Sequence, residues 1–350
     1  MQRVRQRDLA EALQLDRSTV AKALRGDPRI APATRAAVAE AAARLGYRPD
    51  PMLSALAAYR AARQPAEVRS CLGWVYNHPR SVAMDHFPAY TEYLVGARRQ
   101  AARLGYRIEE FWVGRQPRAA DRLGRTLLAR GVDTLVLAPQ EDLSRPLDLP
   151  WDRLCTVAIG YSLKSPELHR VTIDHFQAMT QAVEQLAARG YRRLGCYLWQ
   201  TDNDRIERRA LSAFLALSGR LNVAVQLYSE FRPREFVTWV KAHRLDAVLT
   251  REARVPEILR EAGRTVPDAM GVALYTRGLA DGAAGFYYAN DLVGAAAVDL
   301  AVRQRRQGEF GLPAHPLRVL LSARWIAGPT LKPQPAALLV PEEGVEPTRL

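Results

Sequence analysis

The sequence predicts a small all-α head carrying a helix-turn-helix, joined to an α/β body of two lobes with parallel sheets. Three observations predict it. Residues 1–48 hold three apolar stripes at helical spacing, separated by turn and cap residues. Residues 66–330 alternate short apolar runs with amphipathic helical stretches, and do so in two successive series. The chain has 350 residues, 48% of them hydrophobic, more than one compact domain uses, since a domain takes roughly 100–200 residues.

In the head, Leu9, Ala10 and Leu13 fall on one face of a helix over 5–13, and Val20, Ala23 and Leu24 on one face of a second over 18–24. Asp16 stands at the N-cap position of the second helix, which leaves Arg17, Ser18 and Lys22 pointing outward. Ala31-Pro32 announces a third helix through Val38 and Ala42 to Leu45, closed by Gly46. Ala10 is small enough for the first two helices to approach closely, with Val20 packed between them. The charge is concentrated here too. Residues 1–65 hold twelve Arg/Lys against six Asp/Glu, and the other 285 hold 38 against 31. A basic head suits a polyanionic partner.

The run VRQRDLAEALQLDRSTVAKALRGDPRIAPATRAAVAEAAARLGYRPD, with Asp8-Leu9-Ala10, Ser18-Thr19-Val20, Thr34-Arg35 and Leu45-Gly46-Tyr47-Arg48-Pro49, resembles the DNA-binding head of the LacI family of transcriptional regulators. The resemblance implies base contacts from Arg17, Ser18 and Lys22 and phosphate contacts from Arg5, Thr19, Arg25 and Thr34. It implies that Pro51–Ala58 is a hinge helix that pushes Leu56, or else Leu53, into a minor-groove step. Three residues depart from the family pattern. Gln14 stands where the turn usually has glycine, Ala21 replaces a common serine, and Lys22 replaces a common arginine, losing its planar fork.

In the body, Cys71–Tyr76 reads as a buried strand, followed by a helix through Tyr93 and Ala97 to Leu104, a strand near 107–113, a helix over 120–130 and the strand Thr134–Leu137. The second series follows Val157–Gly160. It comprises Val171–Asp174, a helix over 177–189, strand Leu194–Leu198, a helix over 205–217, and strands Val223–Leu227 and Ala247–Leu249. The spacing of Asp174, Ala182, Leu186 and Gly190-Tyr191-Arg192-Arg193 again resembles the LacI-type body, as do Gly263–Val272, Asn290–Ala297 and Leu320–Thr330. The resemblance covers roughly residues 3–330. It implies a type I periplasmic-binding-protein-like body whose chain crosses between lobes three times, with a small-molecule effector in the cleft between them. The expected divisions are a head over 1–48, a hinge helix and linker over 49–65, an effector-binding and dimerisation body over 66–330, and a loose tail over 331–350.

By the same resemblance, effector contacts come from Tyr76, Asn77, Phe87, Tyr90, Arg205, Tyr275 and Asn290. Aromatic rings beside a guanidinium suit a hydroxylated ligand such as a carbohydrate. These aromatics equally suit the core, Arg208 and Arg209 compete with Arg205, and Tyr275 stands where many sugar-binding relatives have an aspartate that clasps hydroxyls.

Enzymatic motifs of the GxSxG, HExxH, Walker A and GxGxxG kinds are absent, and the six histidines are scattered. No enzyme, metal site or cofactor is expected. Cys71, Cys155 and Cys196 read as reduced, mostly buried thiols. No window reaches the roughly 18 apolar residues of a membrane span, and the charged, helical N-terminus is unlike a secretion signal, so a cytoplasmic location is expected. The expected function is sequence-specific DNA binding by a homodimer on a palindromic operator, repression being the family's commoner habit. Two alternatives stay open: a regulator whose body has become ligand-independent, and a small-molecule-binding protein without a DNA role.

Overall fold

The computed structural model describes residues 4–24, 30–47, 70–80, 88–217, 221–278 and 282–334. The head forms three helices, α1 (Gln6–Leu13), α2 (Arg17–Leu24) and α3 (Pro32–Leu45). Their apolar stripes meet in a core of Leu9, Ala10, Val20, Ala23, Val38 and Ala41, with Leu13, Leu15 and Tyr47 packed against it. At the start of α1 the Arg5 backbone N–H donates to the Asp8 carboxylate at 2.7 Å. The Asp16 carbonyl receives the first amides of α2, those of Thr19 and Val20. Gly46 closes α3 in the left-handed conformation at φ 69°. Gln14 closes α1 in that conformation too, at φ 51°, without glycine's freedom to adopt it.

The chain divides into two compact units, Met1–Ile173 with Ala289–Leu321 and Asp174–Tyr288 with Ser322–Leu350, so it passes from one to the other three times. The first unit contains β1 (Ser70–Tyr76), α4 (Pro88–Arg103), β2 (Tyr106–Trp112), α5 (Ala119–Ala129), β3 (Thr134–Leu137), β4 (Cys155–Ile159) and β5 (His169–Ile173). After the excursion through the second unit it regains α11 (Asn290–Gln307) and β11 (Arg318–Leu321). Its six strands are all parallel, in the order β11-β5-β4-β3-β1-β2. Residues of β3 and β4 are buried without exception, as expected of strands covered on both faces. Helices α4 and α11 cross in very close contact: a Cβ on Gly96 would lie 1.8 Å from the Asp291 carbonyl oxygen, and one on Gly294 would lie 1.8 Å from that of Tyr93.

The second unit contains α6 (His175–Ala188), β6 (Arg193–Trp199), α7 (Gln200–Arg205), α8 (Arg209–Ala216), β7 (Asn222–Tyr228), α9 (Pro233–Ala242), β8 (Ala247–Thr250), α10 (Val255–Glu261), β9 (Gly271–Arg277), β10 (Ala284–Tyr287) and β12 (Arg324–Ile326). Its strand order, β12-β10-β9-β8-β6-β7, repeats that of the first sheet, except that β12 runs antiparallel to β10. Asp174 opens the unit as the N-cap of α6, its side chain accepting from the Gln177 N–H at 2.9 Å.

Three details differ from the sequence reading. The helix expected over 205–217 begins only at Arg209, because Glu207 and Arg208 both take positive φ, and a separate short helix, α7, precedes it. The strand expected over Val171–Asp174 stops at Ile173, and the helix expected from 177 begins two residues earlier, at His175. The tail begins later than 331, since Leu331 is buried and the Lys332 N–H donates to the Tyr191 hydroxyl at 3.0 Å. Cys155 and Cys196 are buried and Cys71 half-buried, all three as free thiols. Among the described residues no helix is long and apolar enough to cross a membrane.

Candidate functional site

On α2 the inward positions Val20 and Ala23 are buried, and Arg17, Ser18 and Lys22 are exposed. Ser18 and Lys22 are one helical turn apart, so they share a face. Arg5 is exposed at the start of α1, and Thr19 and Thr34 are half-buried. A second tie holds the head together: the Gln6 amide donates to the Tyr47 hydroxyl at 3.1 Å. Arg25, Leu53, Leu56 and Phe87 lie outside the described residues.

In the first sheet, β1 is flanked by β2 on one side and β3 on the other, so the direction of winding reverses between β1 and β3. Open α/β sheets bind ligands at such a switch point, beyond the carboxyl ends of the strands. Asn77 and Gln140 stand just past the ends of β1 and β3, and the Asn77 amide donates to Gln140 Oε1. The Gln140 backbone N–H donates to Ser162 Oγ at 2.7 Å, which draws the loop after β4 into the same cluster. Asn77 Oδ1 and His78 Nε2 are buried with no hydrogen-bond partner among the described residues. Both residues line a cavity of about 380 Å³ whose rim carries Arg115, Glu141, Asp142 and Arg145. Polar groups left unpaired beside a cavity are the groups a ligand satisfies.

The second unit repeats the arrangement at its own reversal between β6 and β8. Asp202, on α7 directly after β6, pairs with Arg251, directly after β8. The Tyr275 hydroxyl on β9 donates to the same carboxylate at 3.1 Å. The Arg251 guanidinium lies 4.9 Å from the centre of the Trp199 ring. Burial and the Asp202 charge hold the Tyr275 phenol well above its ordinary pKa, so it remains a donor. Asn203 is 1% exposed and both polar atoms of its amide lack partners among the described residues.

The other expected effector residues have different surroundings. Tyr76 stacks on Trp112 at 5.3 Å and donates to Glu110 at 3.0 Å, which commits its ring and hydroxyl to the β1–β2 side of the sheet. Tyr90 is buried against Tyr93, with ring centres 6.2 Å apart. The Asn290 amide donates to Glu92 at 2.8 Å, tying α11 to α4, while its Oδ1 is buried and unpaired. Arg205 is half-buried at the end of α7. Sequence reasoning missed Gln140, Ser162, Asp202, Asn203 and Arg251. A usable signal existed for two of them, because Gln140 and Arg251 are polar residues placed just beyond the fully buried strands Thr134–Leu137 and Ala247–Thr250.

Residues 72–230 match the family described as periplasmic binding proteins and sugar binding domain of the LacI family. No curated protein matches the sequence significantly. Among solved structures, the transcriptional regulator CelR in complex with cellobiose is 21% identical, with a TM-score of 0.55 over 94% of this chain and 100% of that one. The lac repressor dimer bound to operator and the anti-inducer ONPF is 18% identical, with a TM-score of 0.57 over 95% of this chain and 100% of that one. The regulator CCPA from Weissella paramesenteroides with bound glucose is 16% identical, with a TM-score of 0.54 over 75% of this chain and 98% of that one. At these identities the likeness concerns the fold.

Proposed function

We propose that the chain, whose residues 72–230 match the family of periplasmic binding proteins and LacI-type sugar-binding domains, is a ligand-responsive, DNA-binding transcriptional regulator, acting as a repressor. The observation that carries the reading is the head: a three-helix unit whose second helix buries Val20 and Ala23 and exposes Arg17, Ser18 and Lys22, in a chain whose body has a ligand-binding fold. In this reading residues 1–48 bind DNA, 49–65 form a hinge, and 66–330 bind effector and dimerise. The DNA partner is a near-palindromic operator, with base edges read by Arg17, Ser18 and Lys22 and phosphates held by Arg5, Thr19, Arg25 and Thr34. Leu53 and Leu56 supply the minor-groove wedge.

The effector is a small hydroxylated molecule of the carbohydrate class, recognised through the strand-end amides Asn77 and Gln140 of the first unit; the second unit presents Asp202, Asn203 and Arg251 at the corresponding place in its own sheet. The complexes of relatives with cellobiose and glucose support that class. One observation favours a second reading, a body that answers no ligand: Arg251 and Tyr275 already occupy the Asp202 carboxylate.

Selection of genomic fragments by the purified protein, followed by binding across a salt series, tests the DNA role. An enriched palindrome bound tightly and weakened steeply by salt is the expected outcome. Uniform recovery of random fragments would refute it. Repeating the binding with a panel of sugars separates the two readings, since a ligand-independent body leaves operator affinity unchanged by all of them.

A further inference from the structure

On the other side of β6 from its reversal, the second unit contains a cavity of about 320 Å³ at the ends of β6 and β7, the outermost strand of its sheet, and the start of α9. Its volume lies within the range that holds small ligands, roughly 300–1,000 Å³. The floor is aromatic. Tyr197 stacks on Tyr228 with ring centres 4.5 Å apart and lies 5.4 Å from Trp239. The rim is formed by Glu230, Arg232 and Glu235.

Two features show what the cavity accepts. The Tyr197 side chain belongs to a residue only 3% exposed, and its hydroxyl has no hydrogen-bond partner among the described residues. The neighbouring Tyr228, by contrast, donates to Glu252. The hydroxyl is not among the fully enclosed polar atoms, so it opens on the cavity and is free to accept from what occupies it. The second feature is the potential around that oxygen. Burial, then the charges of Glu235 and Glu252, push the Tyr197 pKa up to about 12, so the surroundings repel an anion. A cation already answers that field: the Arg232 guanidinium reaches Glu230 at 2.9 Å and Glu235 at 3.1 Å. All three side chains are more than half exposed, and ion pairs so exposed are weak and exchangeable.

We propose that this cavity is a ligand site in its own right, for a small primary alkylammonium ion. Glu230, Glu235 and the Tyr197 oxygen offer three acceptors, matching the three N–H donors of a primary ammonium. The aromatic floor receives the alkyl chain and the face of the charge. Arg232 occupies the site when no ligand is present and swings into solvent when one binds. The site is independent of the effector reading above.

Calorimetric titration of the full chain with n-butylammonium tests this, with n-butanol and n-butyrate as the neutral and anionic matches and tetramethylammonium as a cation without donors. Saturable binding of n-butylammonium alone is expected, tightened several-fold in Arg232→Ala and weakened several-fold in Tyr197→Phe and in Glu235→Gln. Tyr197→Phe keeps the ring packing, so loss of binding there reports the hydroxyl. Equal binding of n-butanol would reduce the cavity to an apolar pocket, and equal binding of tetramethylammonium would remove the three-donor match. Either result overturns the proposal, as does weaker binding in Arg232→Ala, a preference for n-butyrate, or no saturable binding by both the parent chain and Arg232→Ala.

Discussion

Arg251 and Asp202 form a partly enclosed pair, with side-chain exposures of 26% and 18%, and Tyr275 shares the carboxylate. Breaking such a pair from one side leaves an uncompensated charge. Arg251→Ala is therefore expected to cost about 2–3 kcal/mol, below the full figure for a buried pair because water still reaches both groups. Urea unfolding measures it, and a change within error would show the pair to be dispensable. His175 gives a pH signature. Burial, with a smaller contribution from Arg209, lowers its pKa to about 4, against about 6.5 in an unfolded chain. The folded state thus resists protonation: the contribution is complete above about pH 6.5 and is lost as pH falls toward 4, by at most about 3 kcal/mol. The residue as a whole is only half-buried, so about 2 kcal/mol is expected, and His175→Gln should flatten the fall in melting temperature across that window. At this scale the sequence is an uneven guide. The sequence singled out Asn77 and Tyr275, but the Asp202 that answers Tyr275 lies 73 positions away in sequence, and only the fold brings the two together.

Helices illustrate what local sequence decides and what it leaves to packing. In the head, every stripe and stop was legible, down to Gln14 in a left-handed turn. Gln14→Gly removes a backbone penalty of about 1 kcal/mol, partly offset by the greater freedom of glycine in the unfolded chain. A net gain of about 0.5 kcal/mol should appear as slower hydrogen exchange of the head amides, and faster exchange would contradict the strain. The break before α8 was not legible, because the stretch 205–217 contains neither glycine nor proline and its residue types suit a continuous helix. The crossing of α4 and α11 was hidden for a different reason: Gly96 and Gly294 are about 200 residues apart and meet backbone, not side chain. Gly96→Ala would drive its methyl into the Asp291 carbonyl and force the helices apart. A loss of about 3 kcal/mol and a melting temperature lower by several degrees are expected.

For the molecule as a whole, the alternation of apolar runs and helices revealed two α/β lobes and parallel sheets, which the strand orders bear out. The three passages of chain between the units came from the resemblance, and they agree with the observed divisions. They also limit dissection. A fragment ending at Ile173 contains the head and β1 to β5 but lacks α11, which packs on α4, β3, β4 and β5, and it lacks the edge strand β11. Circular dichroism of that fragment should show secondary structure without a cooperative melt, and a sharp transition would show that five strands suffice. The edge strands of the two sheets, β11 and β12, occupy residues 318–321 and 324–326, within nine residues of each other. On the ribosome, then, neither sheet can be finished until synthesis has passed residues 318–326, and the nascent protein waits with two open borders that close together. A stop codon anywhere before residue 318 does not delete one lobe and spare the other. It leaves both incomplete, so truncations of very different length should share one fate: capture by chaperones and proteases.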